Sequence, residues 1–245
     1  MAIFVLIGGG EIGNRETYKI DERIVKLAQK DNPKFLFIPT ASNEAQGYID
    51  AIKSIYGDLL KCSFDWLCLE NDNLENELRK IEWADIIYVG GGNTRRMMKK
   101  WKECKVDIEL KKYVNTNKVF CGLSAGSICW FESGISDSDS FENNETWNYS
   151  IVDGLGMIKG CHSPHYDDRI KEESFIKFIK EEDLDIIAIE NNCAIIINSN
   201  IEIINSNIEI IKSDSNKNAY MISNHGSSVK VLENNNVIKY LRAKS

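Results

Sequence analysis

The sequence predicts an α/β protein: a mainly parallel sheet flanked by helices on both faces, with a β-rich C-terminal part. Three observations carry this expectation. Short unbroken apolar runs recur through the first half of the chain, each is followed by a stretch with apolar residues at helical spacing, and three of the junctions between them are rich in glycine. Apolar runs of strand length that alternate with amphipathic helices indicate β-α-β units, whose strands are covered on both sides.

The elements follow in order. Ala2 to Ile7 reads as a buried strand ending in Gly8-Gly9-Gly10, and the polar stretch Asp21 to Gln29 as the helix after it. Lys34 to Ile38, bounded by Pro33 and Pro39, is the second strand. Glu44 to Tyr56 has helical spacing, Cys62 to Leu69 is strand-like, and Leu74 to Ile81 is helical. Asp85 to Val89 is an apolar run into Gly90-Gly91-Gly92, with helices expected over Thr94 to Trp101 and Ile108 to Val114. Lys118 to Cys121 is the next strand, and Ala125 to Phe131 opens a helix. From Glu190 the chain is rich in Ile, Asn and Ser. The phrase Ile-Asn-Ser-Asn-Ile-Glu-Ile occurs twice, from Ile197 and from Ile204, and reads as hairpin strands joined by Asn/Ser turns. No linker or compositional break intervenes, so residues 1–245 are expected to form a single α/β hydrolytic domain.

Composition narrows the function classes. With 43% hydrophobic and 27% charged residues the chain can bury a sizeable core. Its apolar runs are strand-sized, short of the roughly 20 residues that span a bilayer. A formal charge of -7 disfavours nucleic acid as a partner, and the basic cluster of Arg95, Arg96, Lys99, Lys100 and Lys102 reads as a solvated helix face. The N-terminal stretch lacks the basic region and cleavage pattern of a signal peptide. Seven cysteines include no Cys-x-x-Cys pair, which points to reduced thiols and a cytoplasmic location. Monomer and homodimer are both compatible with the sequence.

Gly122-Leu123-Ser124-Ala125-Gly126 fits the nucleophile-elbow pattern, and it lies between a predicted strand and a predicted helix, the context the pattern requires. A sharp turn there projects the serine hydroxyl, and the Ala125 amide at the start of the helix can donate to a developing oxyanion. A serine nucleophile needs a base. The chain has three histidines: His225 lies in a polar turn, leaving His162 or His165 in Cys161-His162-Ser163-Pro164-His165-Tyr166. Pro164 discourages reading that pair as metal ligands on a helix. Asp137 and Asp139, shortly after the elbow helix, are the candidate carboxylates to orient the imidazole.

Val89-Gly90-Gly91-Gly92-Asn93-Thr94, then Gly122-Leu123-Ser124-Ala125-Gly126-Ser127, then Ser163-Pro164-His165-Tyr166 together resemble the dipeptidase E family, the aspartyl dipeptidases to which cyanophycinases are related. The likeness runs in the same motif order from the first strand to about Arg169. It implies a fold similar to class I glutamine amidotransferases, with serine in place of their cysteine; Cys121 and Cys129 flank the elbow without occupying it. The resemblance implies Ser124 as nucleophile and His165 as base. It brackets Asp137 and Asp139 as the acid, with Asp137 preferred for its Ser-Asp-Ser setting. It implies Gly91 and Gly92 as oxyanion donors beside Ala125, and Asn93, His162 and Arg169 as substrate-contacting residues. Arg169 is the cation expected to meet an N-terminal aspartate, although the stretch Tyr166 to Lys171 is more acidic than an aspartate-binding loop should be.

The expected function is therefore a serine-type peptidase that hydrolyses small peptides through an acyl-enzyme on Ser124, with no cofactor or metal implied and no membrane partner. Hydrolysis of a β-aspartyl polymer or another small amide, or metabolite binding without catalysis, are the alternatives.

Overall fold

The computed structural model describes residues 2–142, 147–182, 184–198, 208–223 and 225–233. Strands β1 (Ile3–Ile7), β2 (Lys34–Ile38), β3 (Ser63–Trp66), β4 (Ile86–Val89) and β5 (Val119–Leu123) run parallel in the spatial order β1-β5-β4-β2-β3. Successive side chains of a strand point to opposite faces, so strands that are apolar at nearly every position need cover on both. Val5, Ile7, Phe35, Phe37, Ile86 and Tyr88 pack against Ile20 and Ile24 of α1 (Tyr18–Leu27) and Ile49 and Ile52 of α2 (Gln46–Ile52). The alternate residues Phe4, Leu6, Leu36, Ile38, Ile87 and Val89 join Ile81 of α3 (Leu74–Trp83), Met97 and Trp101 of α4 (Thr94–Cys104) and Leu110 of α5 (Val106–Lys111).

The chain then leaves this sheet. The elbow helix α6 covers only Ala125–Ile128, and β6 (Phe131–Ser136) begins where the sequence predicts continuing helix. A short apolar run such as Ile128 to Phe131 fits either period, and here pairing in a second sheet decides it. That sheet has the order β13-β12-β9-β8-β6-β7, from β7 (Ser150–Asp153), β8 (Ile158–Ser163), β9 (Ile186–Ile189), β12 (Ala219–Ser223) and β13 (Ser228–Val231). β6, β8 and β9 are parallel, while β7, β12 and β13 pair antiparallel with their neighbours. Two helices follow β8 in the chain, α7 (Tyr166–Arg169) and α8 (Glu173–Glu181), and Phe175 and Ile179 of α8 pack against Cys161, Ile186 and Ala188. The opposite face, with Phe131, Ile158 and Ile187, enters the same buried cluster as Phe4 and Leu6 of the first sheet.

The predicted Ile-rich hairpin exists in its described parts. β10 (Cys193–Asn198) pairs antiparallel with β1, and β11 (Ile208–Lys212) antiparallel with β10, with Ile197 opposite Ile208. The Asn/Ser turn expected between them falls on residues 199–207, which lie outside the described residues. Among the described residues no helix is long and apolar enough to cross a membrane.

Ligand sites of parallel sheets form beyond the carboxyl ends of the strands. Here the ends of β1, β5, β8 and β9 are tied together by backbone bonds: the His165 amide donates to Gly8 O at 3.0 Å, Gly8 N to Cys193 O at 3.0 Å, and Asn192 N to Gly9 O at 2.9 Å. Ser124 N donates to Ile7 O at 3.1 Å.

Candidate active site

Ser124 follows β5 directly with φ 56° and ψ -114°, a backbone conformation that costs a non-glycine residue about 1–3 kcal/mol and persists only where its surroundings enforce it. The enforcement is visible in the glycines. A Cβ on Gly126 would lie 2.0 Å from Val89 O, so no larger residue lets α6 approach β4 this closely. The strained turn lifts Ser124 Oγ out of the sheet toward the end of β8.

His165 meets it there. Its Nε2 is 2.8 Å from Ser124 Oγ, and its own backbone is left-handed, with φ 53° and ψ 36°. Its Nδ1 is 2.6 Å from Oδ1 of Asn191, in the turn between β9 and β10. The Asn191 amide group is oriented by its other end, because Nδ2 donates to Asp168 Oδ2 at 2.7 Å. Its carbonyl therefore accepts the Nδ1 proton, leaving the Nε2 lone pair directed at the serine hydroxyl. Burial and the nearby Arg169 guanidinium hold the His165 pKa below the ordinary histidine value, against the Asn191 hydrogen bond, Asp137 and Asp168. A neutral imidazole is the form that can take a proton.

The carboxylates expected at Nδ1 are elsewhere. Asp137 Oδ1 lies 3.5 Å from Arg169, and Asp139 pairs with Arg95 on α4. The segment carrying them is fastened to the start of α4: Ser138 O accepts from Asn93 Nδ2 at 3.2 Å, and Ser138 Oγ accepts from Arg95 N at 3.1 Å. The third position at the imidazole thus belongs to an amide, which corrects the expected Ser-His-Asp arrangement.

The expected substrate contacts are likewise engaged in the fold. Asn93 is buried and caps α4, accepting from Arg96 N at 2.9 Å. His162 is fully buried, with Nε2 2.7 Å from Ser127 Oγ, Nδ1 2.8 Å from Ile187 O, and its ring stacked on Phe131. Burial pushes its pKa down to about 3. Arg169 is 3% exposed; it donates to Ile135 O at 2.8 Å and lies over the Tyr149 ring. These three side chains are buried and held by partners within the fold.

The glycine loop after β4 divides in two. Gly91 lies beside the nucleophile, since a Cβ on it would be 3.5 Å from Ser124 Cβ, and its amide donates to Tyr48 Oη at 3.3 Å. Gly92, at φ 136°, turns the chain against Ala41, whose carbonyl a Cβ would meet at 2.2 Å. Ala125 is the first residue of α6, where a backbone amide has no partner within its own helix. Tyr48, which burial pushes up to about 12, remains a protonated phenol beside Gly91.

Residues 4–204 match the model of peptidase family S51. The chain belongs to this family, the dipeptidase E family. It is 33% identical over 165 residues to the uncharacterized peptidase YgaJ of Bacillus subtilis, covering 67% of this chain and 68% of that one. It is 26% identical over 147 residues to the uncharacterized peptidase Lmo0363 of Listeria monocytogenes, covering 59% and 71%. A crystal structure of a peptidase from an acI-B1 actinobacterium superposes with a TM-score of 0.71 over 96% of both chains at 17% identity, a likeness of fold.

Two residues that shape the site of this S51 peptidase escaped the sequence reading. Asn191 sits in Glu190-Asn191-Asn192 beyond an apolar strand, a polar residue where parallel sheets collect ligands, yet its surroundings are so rich in asparagine that nothing singles it out. Tyr48 falls on a helix whose aromatic residues read equally as core.

Proposed function

We propose that this S51 peptidase is a serine-type hydrolase of small peptides that works through an acyl-enzyme on Ser124. The observation that carries the reading is the 2.8 Å approach of His165 Nε2 to Ser124 Oγ at a strained elbow. His165 takes the hydroxyl proton as Oγ attacks the scissile carbonyl, and the tetrahedral oxyanion is held by the amide of Ala125 and by that of Gly91, which exchanges its 3.3 Å bond to Tyr48 Oη for the oxyanion. The resulting imidazolium gives its proton to the leaving amine, and a water activated by the same imidazole releases the acyl group. Asn191 orients the ring, the role the sequence reading gave to Asp137. Gly92 contributes the turn that presents Gly91.

Arg169 is committed to Ile135, Asp137 and Tyr149, so it is not assigned to a substrate carboxylate. Free thiols at all seven cysteines support a reducing, cytoplasmic setting, and the apolar cluster shared by the two sheets supports one folding unit over the described residues. The test is hydrolysis of a dipeptide panel that varies the N-terminal residue, with the wild type and Ser124→Ala side by side. Cleavage of some members by the wild type and none by the variant is expected; cleavage retained in Ser124→Ala overturns the serine mechanism. A folded wild type that binds members of the panel and cleaves none favours the non-catalytic reading.

A further inference from the structure

The hydrogen-bond chain that begins at Ser124 does not stop at the imidazole. Ser124 Oγ, His165 and Asn191 Oδ1 are joined at 2.8 and 2.6 Å, and Asn191 Nδ2 donates to Asp168 Oδ2 at 2.7 Å. The neighbouring carboxylate, Asp167 Oδ1, accepts from the Asn191 backbone amide at 2.9 Å. Two consecutive aspartates of α7 therefore hold one asparagine by its side chain and its main chain.

We propose that Asp168 is a positioning residue for the His165 base, acting through the Asn191 amide. The inference rests on the Ser124–His165 reading given above. A primary amide can be turned end for end at little steric cost, and the two orientations have opposite consequences here. With the carbonyl toward the ring, Nδ1 keeps its proton and Nε2 can accept from Ser124. With the NH2 toward the ring, Nδ1 must accept, Nε2 carries the proton, and the base is disabled. The Asp168 carboxylate accepts hydrogen bonds only, so it forbids the second orientation. Its charge also polarises the amide, making the carbonyl oxygen a stronger acceptor when the imidazole becomes cationic. No proton passes beyond His165: the Ser124 proton moves to Nε2, and Asn191 and Asp168 keep the protonation states they had.

The charged and titratable groups facing His165 are Arg169, Asp137, Asp168 and His162, and Lys171 lies 3.4 Å from Asp168. Asp168 is exposed, so its replacement spares the core. The experiment compares the full-length wild type with Asp168→Asn, Asp168→Ala, Asp168→Glu and a Lys171→Met control. Two readouts are used: the rate at which an alkyl fluorophosphonate modifies Ser124 as a function of pH, and the imidazole nitrogen resonances of His165.

The expected result is a fall in labelling rate of about 10-fold for Asp168→Asn and more for Asp168→Ala, similar to the loss of an outer partner of a functional histidine. The acid limb of the pH profile should move to lower pH in both, because a negative charge near the imidazole is gone. Asp168→Glu should recover most of the rate, and Lys171→Met should match the wild type. Wild-type rate and wild-type midpoint in Asp168→Asn overturn the proposal, as does a loss of rate without any shift of the midpoint. Should the wild type resist labelling, the hydrolase reading falls, while the nitrogen spectrum still decides the relay. An Nδ1-protonated ring in the wild type that shifts toward Nε2 protonation in Asp168→Asn supports it, and an unchanged ring overturns it.

Discussion

Replacing Asn191 with alanine isolates the contribution of an amide at the third position. The substitution removes the acceptor 2.6 Å from His165 Nδ1 and leaves the main-chain bond to Asp167 in place. In serine triads, changing the buried carboxylate to an amide costs about 10⁴ in kcat, because the tautomer is wrong and the imidazolium loses its counter-charge. Asn191 supplies the tautomer and the orientation without a full charge, so a smaller loss of about 10²–10³ is expected, or ~2.7–4.1 kcal/mol of transition-state stabilisation. The assay is kcat/KM for a dipeptide cleaved by the wild type, with urea unfolding to establish that the variant remains folded within about 1 kcal/mol. Asp137→Asn, measured alongside, should stay within about 10-fold of wild type, since its partner is Arg169 rather than the imidazole. An unimpaired Asn191→Ala, together with a collapse of activity in Asp137→Asn, would refute the argument and return the acid to Asp137.

The other predictions concern the frame around the pair. Gly9→Ala should abolish activity while the protein stays folded, because the added Cβ would fall 2.1 Å from Asn191 Oδ1 and 2.4 Å from the His165 ring; a fully active Gly9→Ala contradicts this placement of the His165–Asn191 pair. Arg169→Leu leaves the buried Ile135 carbonyl without its donor, while the part-exposed Asp137 turns to solvent, and a loss of about 1–3 kcal/mol in urea unfolding is expected. A variant of unchanged stability that only weakens binding of acidic peptides would instead make Arg169 a substrate contact. His162 is held neutral with a folded pKa of about 3 against an ordinary value of 6.5. Between those values the unfolded chain binds more protons, so its contribution is complete above pH 6.5 and is lost as pH falls, by about 2.7 kcal/mol at pH 4.5. The difference in unfolding free energy between wild type and His162→Gln should shrink over that range, and a difference independent of pH would show that His162 titrates normally in the fold.

Where the sequence is locally decisive, the structure follows it closely. β2 occupies Lys34–Ile38, the run the flanking prolines delimit, and α4 begins at Thr94, where Asn93 caps it. The first sheet was legible because its parallel strands β1, β2, β4 and β5 are short, largely apolar and set off by glycine, proline or a polar helix, whereas the edge strand β3, Ser-Phe-Asp-Trp, is half polar and shorter than the run from Cys62 to Leu69. The second sheet was not, since Phe131 to Ser136 is mixed in polarity and continues an apolar stretch that fits a helix. At the candidate site, the pairing of Ser124 with His165 was legible because an elbow needs small neighbours and the chain has few histidines. The partner of His165 Nδ1 was not. Asp137 is close in sequence to the serine, yet Ser138 binds its segment to α4, whereas Asn191 reaches the imidazole across 26 positions from a turn that only the β9 and β10 pairings bring near.

The most direct test of the Ser124–His165 pair is peptide mapping by mass spectrometry after exposure to an alkyl fluorophosphonate. One adduct per chain is expected, on the peptide bearing Ser124, with its formation slowed at least about 10³-fold in His165→Ala. Modification at another residue, or an equal rate at Ser124 without the imidazole, would contradict the account.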